Sequence, residues 1–271
     1  MNLDLFINMV INSSVIASLL TALIFIFKLV FGKHISARWH YVIWFVLLLR
    51  LAVPYIIFSP FFISDLFKTA STVDGFADGI KNQTIISNPV SQSSALLGSI
   101  GQAFKTYISF ILSNAETLFV IWTLGVVILS LYYFVYNSLF WRRVKNGTVF
   151  TDQNIIKLLE DCKHKLNVQT NISLIQTSGI SIPAIFGVIR PWLLMPERVL
   201  KIMEYENLRY IILHELAHLK RKDIVINWIS LILQIIHWFN PFVWFAFRRM
   251  RIDRELACDE LVLLNLEQNE V

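Results

Sequence analysis

Residues 5–31 read LFINMVINSSVIASLLTALIFIFKLVF, an almost unbroken apolar run that decides the fold class of this chain. A helix needs about 20 consecutive apolar residues to cross the hydrocarbon core of a bilayer, and this run is longer. The whole chain agrees with it: 56% of the 271 residues are hydrophobic and 16% are charged, with a mean hydropathy of +0.59. These values exclude an ordinary soluble domain, in which about a quarter of the residues are charged, and predict an integral-membrane protein.

Two further apolar stretches, at about residues 39–58 and 116–140, predict a second and a third span. The first span is followed by Lys33 and the third by Arg142, each within a cluster of basic residues. Because basic flanks favour the cytoplasm, we expect the N-terminus and the loop 59–115 outside the cell and the C-terminal part inside it.

The predicted organisation is that of a mainly α, multi-pass protein of the cell membrane with a small cytoplasmic α+β domain. It comprises an N-terminal transmembrane hairpin at 1–58, an extracellular loop at 59–115, a third transmembrane span at 116–140 and the cytoplasmic domain at 141–271. The net charge of +5 lies in short clusters and not on one broad face with interleaved aromatic residues. We therefore interpret the charge as a determinant of topology, and expect membrane lipid as a partner but no direct nucleic acid.

The C-terminal part predicts a compact unit of helices and strands. The stretch TDQNIIKLLEDCKHKL (151–166) has the pattern of an amphipathic helix, and NISLIQT (171–177) and AIFGVIRPWLLMP (184–196) are typical of short strands broken by Gly and Pro. Residues 204–222 predict another helix with an apolar face. This last helix carries the motif with the clearest chemistry.

His214, Glu215 and His218 form an H-E-x-x-H motif within that helix. Positions i and i+4 lie one turn apart on the same face, so both imidazoles can bind one metal ion. Two neutral imidazoles suit Zn²⁺, and Glu215 is placed to take a proton from a water molecule at the metal. The alternative is a pair of structural histidines beside an exposed glutamate, but burying Glu215 in so apolar a helix without a cation would be costly. The motif therefore predicts a zinc metalloprotease.

A catalytic zinc needs a third protein ligand, which the sequence next to the motif does not supply. In the extended pattern with a third histidine, Arg221 stands at the glycine position and Ile224 at the histidine position. Downstream, Glu255 and Asp259 lie four residues apart and share a helical face. Glu255 can therefore bind the metal while Asp259 accepts the second ring N–H of a ligand histidine. The alternative is a solvated charged face of a terminal helix.

Three further residues have chemistry that suits a metal site. Cys258 is a metal ligand by chemistry, but a buried structural cysteine fits its position off the Glu255/Asp259 face better. Asp223 either orients a ligand histidine or belongs only to a polar turn. His237 is either a ligand or an interior histidine with ordinary hydrogen bonds.

The apolar segment 224–247 separates the two halves of this site and is long enough to cross a bilayer. A straight crossing would place the two halves on opposite sides of the membrane, whereas both flanks of the segment are basic. Asn240-Pro241 disfavours helix continuation, so the segment is predicted to fold back as a re-entrant or interfacial helical hairpin. A polar stripe at spacings of three or four residues is expected to face the protein or a wet cleft: Asn227, Ser230, Gln234 and His237.

Three motifs give the chain a family resemblance: HELAHLKRKD at 214–223, RELACDE at 254–260 and PAIFGVIRPWLLMP at 183–196. With the order of the spans, they resemble the metalloprotease part of the β-lactam sensor-transducers, the BlaR/MecR family of bacterial membrane peptidases. The resemblance extends over nearly the whole chain. It implies a gluzincin-like fold with one Zn²⁺ per chain, the ligands His214, His218 and Glu255, and Glu215 as catalytic acid and base.

The resemblance also implies a substrate region and a biological setting. The segment from Ile182 to Pro196 would lie next to the active site and offer a strand edge to an extended substrate, with these residues as candidate contacts: Ile182, Pro183, Ala184, Phe186 and Gly187. The expected substrate is a cytoplasmic protein, such as a transcriptional repressor, or the chain itself, in antibiotic-resistance signalling.

Family members that sense antibiotics continue into a penicillin-binding domain with an S-x-x-K motif, which this sequence lacks. We therefore expect either a fragment or a relative that relies on a separate sensor or a homo-oligomer. The alternative function is a non-proteolytic signalling or scaffold subunit with a structural or silenced zinc site. An intact Glu215 argues against that alternative, because a structural zinc site needs no base and is usually closed by four protein ligands.

Overall fold

The computed structural model describes residues 3–53, 102, 106, 113–145 and 147–267. The chain divides into two compact units, Met1–Val15 with Arg50–Leu124 and Ile16–Leu49 with Gly125–Val271. Helices account for most of the described residues, and the second unit also contains a small four-stranded sheet. The predicted combination of a mainly α protein with a small α+β part is therefore confirmed at this level.

The elements follow one another from α1 to α9 with four strands between α4 and α6. The helices are α1 (Leu3–Phe31), α2 (Ala37–Val42), α3 (Trp44–Ala52), α4 (Ala115–Lys145), α5 (Gln153–Leu166), α6 (Glu197–Ile202), α7 (Tyr205–Lys220), α8 (Asp223–Ile236) and α9 (Pro241–Glu267), with a 3₁₀ turn at Gly32–His34. The strands are β1 (Thr148–Val149), β2 (Ser173–Thr177), β3 (Ala184–Phe186) and β4 (Trp192–Pro196).

Two helices among the described residues are long and apolar enough to cross a membrane, at Phe6–His34 and Ala115–Lys145. The first of them covers the predicted span 5–31 except for residue 5, and the second contains the predicted span 116–140. Helix α4 exposes large apolar side chains along its length: Ile128, Leu131 and Phe134 are between 60% and 69% exposed. Such a surface needs an apolar solvent, and a bilayer supplies one.

The predicted second span, 39–58, is only partly described. Its described part is divided between α2 and α3 at Ile43, whose backbone keeps helical dihedrals of −56° and −32°. The expected single helix is thus interrupted by one residue, and residues 54–58 lie outside the described part, as does nearly all of the loop 59–115. A three-span topology remains a prediction.

The predicted break in the segment 224–247 is present. Helix α8 ends at Ile236 and α9 begins at Pro241, with Asn240 before it. The Asn240 carboxamide oxygen accepts the backbone N–H of Phe242 at 2.8 Å, which caps α9, and proline at the first helical position has no N–H to satisfy. The placement of this hairpin in a membrane remains a prediction.

The polar stripe of that segment is only partly interior. Ser230, Gln234 and His237 are 3–6% exposed, as the pattern predicts. Asn227 is exposed, so it does not face the protein interior; it lines a small open pocket with Tyr41 and Ser230, which agrees with the wet cleft that the prediction also allowed. The stripe therefore turns inward over the second half of α8 and the turn that follows it.

The sheet has the strand order β1-β2-β4-β3, which places β3 at one edge. Strand β4 pairs in parallel with β2 and antiparallel with β3. One apolar cluster joins the sheet to the helices around it, with Leu193 from β4, Leu166 from α5, Leu216 from α7 and Val262 from α9 all fully buried. This cluster fixes α7 between the sheet and the C-terminal half of α9, where the predicted site residues lie.

Candidate metal centre

Helix α7 presents the two motif histidines on one face. The buried residues Leu213, Leu216 and Ala217 anchor the opposite face in the core with no exposed surface. The rings of His214 and His218 lie 4.9 Å apart, centroid to centroid, and nearly perpendicular. This is the arrangement that the spacing of four residues predicts.

Helix α9 brings Glu255 to the same point. Its Oε2 atom lies 3.2 Å from Nε2 of His218 and 3.6 Å from Nε2 of His214. The other carboxylate oxygen, Oε1, accepts a hydrogen bond from the Arg254 guanidinium at 3.2 Å. The structure thus brings together the three predicted ligands, whose ligand atoms all lie within 4.8 Å of one another.

The spacing of these atoms fits a zinc ion. In a tetrahedral site with metal–ligand bonds of about 2.0–2.2 Å, ligand atoms lie about 3.3 Å apart. The distances of 3.2 and 3.6 Å from Glu255 to the two histidines bracket that value. The Glu255 side chain is 47% exposed, so a water molecule can reach the open side of the three ligands.

Two aspartates lie behind the histidines: Asp259, for which this position was predicted, and Asp223, for which the sequence left a polar turn as the alternative. Asp223 Oδ2 is 2.8 Å from Nδ1 of His218 and forms a hydrogen bond with it. Asp259 Oδ1 is 3.0 Å from Nδ1 of His214, at ion-pair distance but not aligned as a hydrogen bond. Each aspartate faces the ring nitrogen that points away from Glu255, the position from which a carboxylate orients a metal-binding imidazole.

Cys258 is fully buried in the core cluster, and its Sγ atom lies 3.2 Å from Nδ1 of His218. His218, Asp223 and Cys258 form a second group with atoms close enough to hold a metal. It shares His218 with the first group but uses the other ring nitrogen, which already bonds to Asp223. His237 belongs to neither group among the described residues.

The metal-free cluster holds protons that a metal ion would displace. Burial lowers the pKa of His218, but hydrogen bonds with Asp223, Cys258 and Glu255 outweigh it and raise the pKa to about 11. The hydrogen bond with Glu255 raises the pKa of His214. Burial acts to raise the pKa of Glu255, but its hydrogen bonds with both histidines hold it well below its usual range. An ion that binds here must compete with these protons.

Glu215 lies beside the ligand cluster and against the sheet edge. Its carboxylate accepts the backbone N–H of Ile185 in β3. Burial raises the pKa of Glu215, and His218, His214 and this N–H oppose the shift only in part. A carboxylate whose pKa is raised toward neutrality is better suited to accept and return a proton.

The predicted substrate residues lie on and around β3. Ala184 and Phe186 are in the strand itself, Pro183 precedes it, and Ile182 is 74% exposed. Gly187 follows the strand with a positive φ of +97°, a conformation that L side chains rarely adopt. Strand β3 contacts the motif helix α7, so the residues of this segment lie near the ligand cluster.

The Phe186 side chain does not face open solvent. It packs against Phe140 and Trp141 at the end of α4, each at 5.3 Å between ring centroids. Trp141 in turn stacks on Trp192 of β4 at 5.1 Å. Phe186 therefore attaches the edge strand to the membrane-length helix α4.

Tyr210 is a site residue that the sequence reading did not include. Its ring stacks beside His214, and its hydroxyl donates to Asp259 Oδ1 at 3.3 Å. The sequence could have indicated Tyr210, because a residue four positions before His214 on the same helix lies on the same face. The Ile185 N–H, in contrast, is a backbone group that no residue type could reveal.

Comparison with known proteins agrees with this arrangement. Residues 8–271 match the family model described as BlaR1 peptidase M56. The chain is 28% identical over 264 residues to the regulatory protein BlaR1 of Bacillus licheniformis, covering 94% of this chain and 42% of that protein. It is 26% identical over 265 residues to the methicillin resistance mecR1 protein of Staphylococcus aureus, covering 95% of this chain and 43% of that protein.

The chain thus spans less than half the length of these curated relatives. The match nevertheless extends over the apolar helices, the sheet and both halves of the ligand cluster. It confirms the family resemblance that the sequence motifs indicated. The chain belongs to the BlaR1 peptidase M56 family.

Proposed function

We propose that this chain is an integral-membrane zinc endopeptidase of bacterial signal transduction that cleaves a cytoplasmic protein, such as a transcriptional repressor, or its own chain. One observation carries the proposal: His214, His218 and Glu255 place three ligand atoms within 4.8 Å of one another, with Glu215 beside them. A structural zinc site is usually closed by four protein ligands and needs no base. A group of three ligands with an adjacent glutamate is suited to catalysis.

His214, His218 and Glu255 would hold the ion, and Asp223 and Asp259 would orient the two imidazoles. When bound, zinc would activate water and polarise the scissile carbonyl. Glu215 accepts the proton of the attacking water and delivers it to the amine that leaves when the peptide bond breaks. The N–H of Ile185 holds the Glu215 carboxylate in place for both transfers.

The edge strand offers a path for the substrate. Strand β3 pairs with β4 on one side and lies next to α7 on the other, so its outer edge adjoins Glu215. An extended peptide that added to this edge would form main-chain hydrogen bonds with it and pass beside the ligand cluster. Ile182 and Gly187, at the two ends of the strand, would then border the bound peptide.

The proposed topology has three spans, an outside N-terminus and a cytoplasmic catalytic part. The hairpin of α8 and α9 returns to the same side of the membrane, so that His218 and Glu255 can share one ion. Lipid surrounds the exposed apolar faces of α1 and α4. A sensor, on this chain or a separate one, or a second copy of this chain supplies the activating signal.

The test measures zinc content and cleavage of a candidate cytoplasmic substrate for the wild type and Glu215→Ala. We expect the variant to retain zinc and lose proteolysis, because Glu215 handles protons and does not bind the metal. Glu206→Ala is the matched control, since Glu206 lies on the same helix and its side chain is 75% exposed. If Glu215→Ala and the wild type cleaved the substrate equally fast, the proposed protease function would be wrong. If the wild type bound zinc but cleaved nothing, the result would favour the scaffold alternative.

A further inference from the structure

Tyr41, in the N-terminal hairpin, contacts the carboxylate that orients a zinc ligand. Its hydroxyl donates to Asp223 Oδ1 at 3.2 Å, and the other carboxylate oxygen, Oδ2, bonds to Nδ1 of His218 at 2.8 Å. Tyr41 is 4% exposed and Asp223 is 2% exposed, so water does not compete for these bonds. A continuous chain of hydrogen bonds therefore joins α2 to the motif helix.

Arg221 holds the same tyrosine from a second direction. Its guanidinium carbon lies 4.5 Å from the centroid of the Tyr41 ring, a cation–π contact. Its Nε atom is 3.7 Å from Asp223 Oδ1, and its NH1 group donates to the carbonyl of Arg254 at 3.3 Å. The ring of Tyr41 is thus fixed together with its hydroxyl, beside the residue that precedes Glu255.

The hairpin also contacts the helix that carries the third ligand. Asp253, two residues before Glu255 on α9, pairs with Lys28 Nζ at 2.5 Å and accepts the indole N–H of Trp44 at 2.6 Å. Asp253 is 3% exposed, and its charge is therefore compensated inside the protein. The hairpin thus forms buried polar contacts with α9 directly and with His218 of α7 through Asp223 at the start of α8.

These contacts matter because a metal-binding imidazole needs a fixed orientation. The carboxylate behind His218 selects the tautomer that presents Nε2 to the metal, and it can do so only if it does not rotate itself. Tyr41 is the side chain that donates to the free oxygen of Asp223. Loss of that hydroxyl would leave Oδ1 with the more distant Arg221 guanidinium and allow the carboxylate to turn away from His218.

We propose that Tyr41 is a positioning residue of the zinc centre, acting through Asp223 on His218, and that the N-terminal hairpin is part of that centre. This inference rests on the zinc site of the proposed function. It assigns the hairpin a role beyond anchoring, since removal of one hydroxyl in α2 alters a ligand in α7. The zinc affinity of the full chain then depends on residues far outside both ligand motifs.

The experiment uses the 271-residue chain in detergent and measures the zinc dissociation constant by competition with a chelating dye. We expect Tyr41→Phe to bind zinc about threefold to tenfold more weakly than the wild type, the value of one lost buried hydrogen bond. Tyr136→Phe is the matched control and should bind as the wild type does, because Tyr136 is 64% exposed on α4. Thermal unfolding of the metal-free proteins checks that each variant is folded.

A double-variant cycle separates positioning from a general loss of structure. If Tyr41 acts through Asp223, the substitution Tyr41→Phe should change zinc affinity little in an Asp223→Ala background. The inference would be overturned if Tyr41→Phe weakened zinc binding as much in the Asp223→Ala background as in the wild type. It would also be overturned if the wild type bound zinc and Tyr41→Phe alone bound it equally well. Either result would leave the proposed function intact. A wild-type chain that binds no zinc would overturn both.

Discussion

Nε2 of His218 and Oε2 of Glu255 are 3.2 Å apart, although the whole of α8 and the first half of α9 separate the two residues along the chain. The turn at His237–Asn240 makes this possible, because it reverses the chain between two apolar helices. The apolar segment is therefore needed to form the site, because its reversal brings Glu255 on α9 back beside His218 on α7. The expected properties of the ligands, the edge strand and the topology follow from it.

The three ligands should each be needed for zinc binding. We expect His214→Ala, His218→Ala and Glu255→Ala to release zinc, measured as metal content after dialysis, because each removes one of three donors. Asp259→Ala should weaken binding by about 10- to 100-fold, the effect of losing a carboxylate behind a ligand.

Two exposed residues supply controls for this series. His164 on α5 and Glu206 on α7 are exposed, so their alanine variants should retain zinc. Full zinc occupancy in Glu255→Ala would show that the third ligand is a different residue. In that event Asp259, Asp223 and Cys258 would be the next positions to substitute.

Zinc affinity should rise with pH. Burial lowers the pKa of His218, but hydrogen bonds with Asp223, Cys258 and Glu255 outweigh burial and raise this pKa to about 11. Without a metal ion the His218 ring therefore carries a proton at neutral pH. Zinc requires the neutral ring, and each proton released makes affinity increase about tenfold per pH unit. Calorimetry from about pH 6 to 8, in two buffers of different ionisation enthalpy, measures this release. Affinity that does not vary with pH would contradict the proton competition.

Substitution of Gly187 should impair catalysis without removing the metal. The positive φ of +97° strains any L side chain, and a Cβ atom there would lie 2.8 Å from the carbonyl oxygen of Arg190. We expect Gly187→Ala to cost about 1–3 kcal/mol of stability and to displace β3, whose Ile185 N–H bonds to Glu215. Cleavage should fall while zinc content stays at the wild-type value.

Gly32→Ala is the control for the Gly187 variant. The nearest atom to a Cβ at Gly32 is a side-chain carbon of His40 at 3.4 Å, an ordinary van der Waals contact. Its thermal unfolding temperature and cleavage rate should match those of the wild type. If Gly187→Ala also matched the wild type, the turn after β3 would have no role in holding the edge strand.

The local features of this fold could be predicted from the sequence because their causes are local. The pair His214 and His218 needs only helical spacing, and the break at Asn240-Pro241 needs only the geometry of proline. Strands β2, β3 and β4 and helix α5 follow from short-range alternation and periodicity, whereas β1, with two residues, is too short to give a pattern and was not predicted. The same reasoning expected an uninterrupted helix through Ile43, which the described residues do not have.

Contacts between distant segments could not be predicted in this way. Tyr41 and Asp223, 182 residues apart, meet only because α2 packs against α9 in the fold. The bond from Ile185 to Glu215 involves a backbone group, for which the side chain gives no signal. Phe186 illustrates a further limit: the sequence placed it at the substrate edge, and its ring packs on Trp141 instead of facing solvent.

Both ends of the apolar hairpin should lie on the cytoplasmic side. Single reporter cysteines at Lys220 and Arg251, which are both exposed, should stay unlabelled by a membrane-impermeant thiol reagent in intact cells and become labelled once the cells are opened. The physical reason is that His218 and Glu255 can share one ion only if their helices meet on one side of the bilayer. A cysteine at Ser93, in the loop expected outside, is the control that should react in intact cells.

The background for this experiment replaces both native cysteines with alanine. Cys162 and Cys258 are buried, and burial raises the pKa of Cys162 to about 11, so neither native thiol should react quickly even when present. Because Cys258 contacts His218, zinc content of the background must first be shown to equal that of the wild type. Labelling of one reporter but not the other in intact cells would mean that the segment crosses the membrane. Glu255 could then not share a zinc ion with His214 and His218, and both the hairpin topology and the ligand set would have to be abandoned.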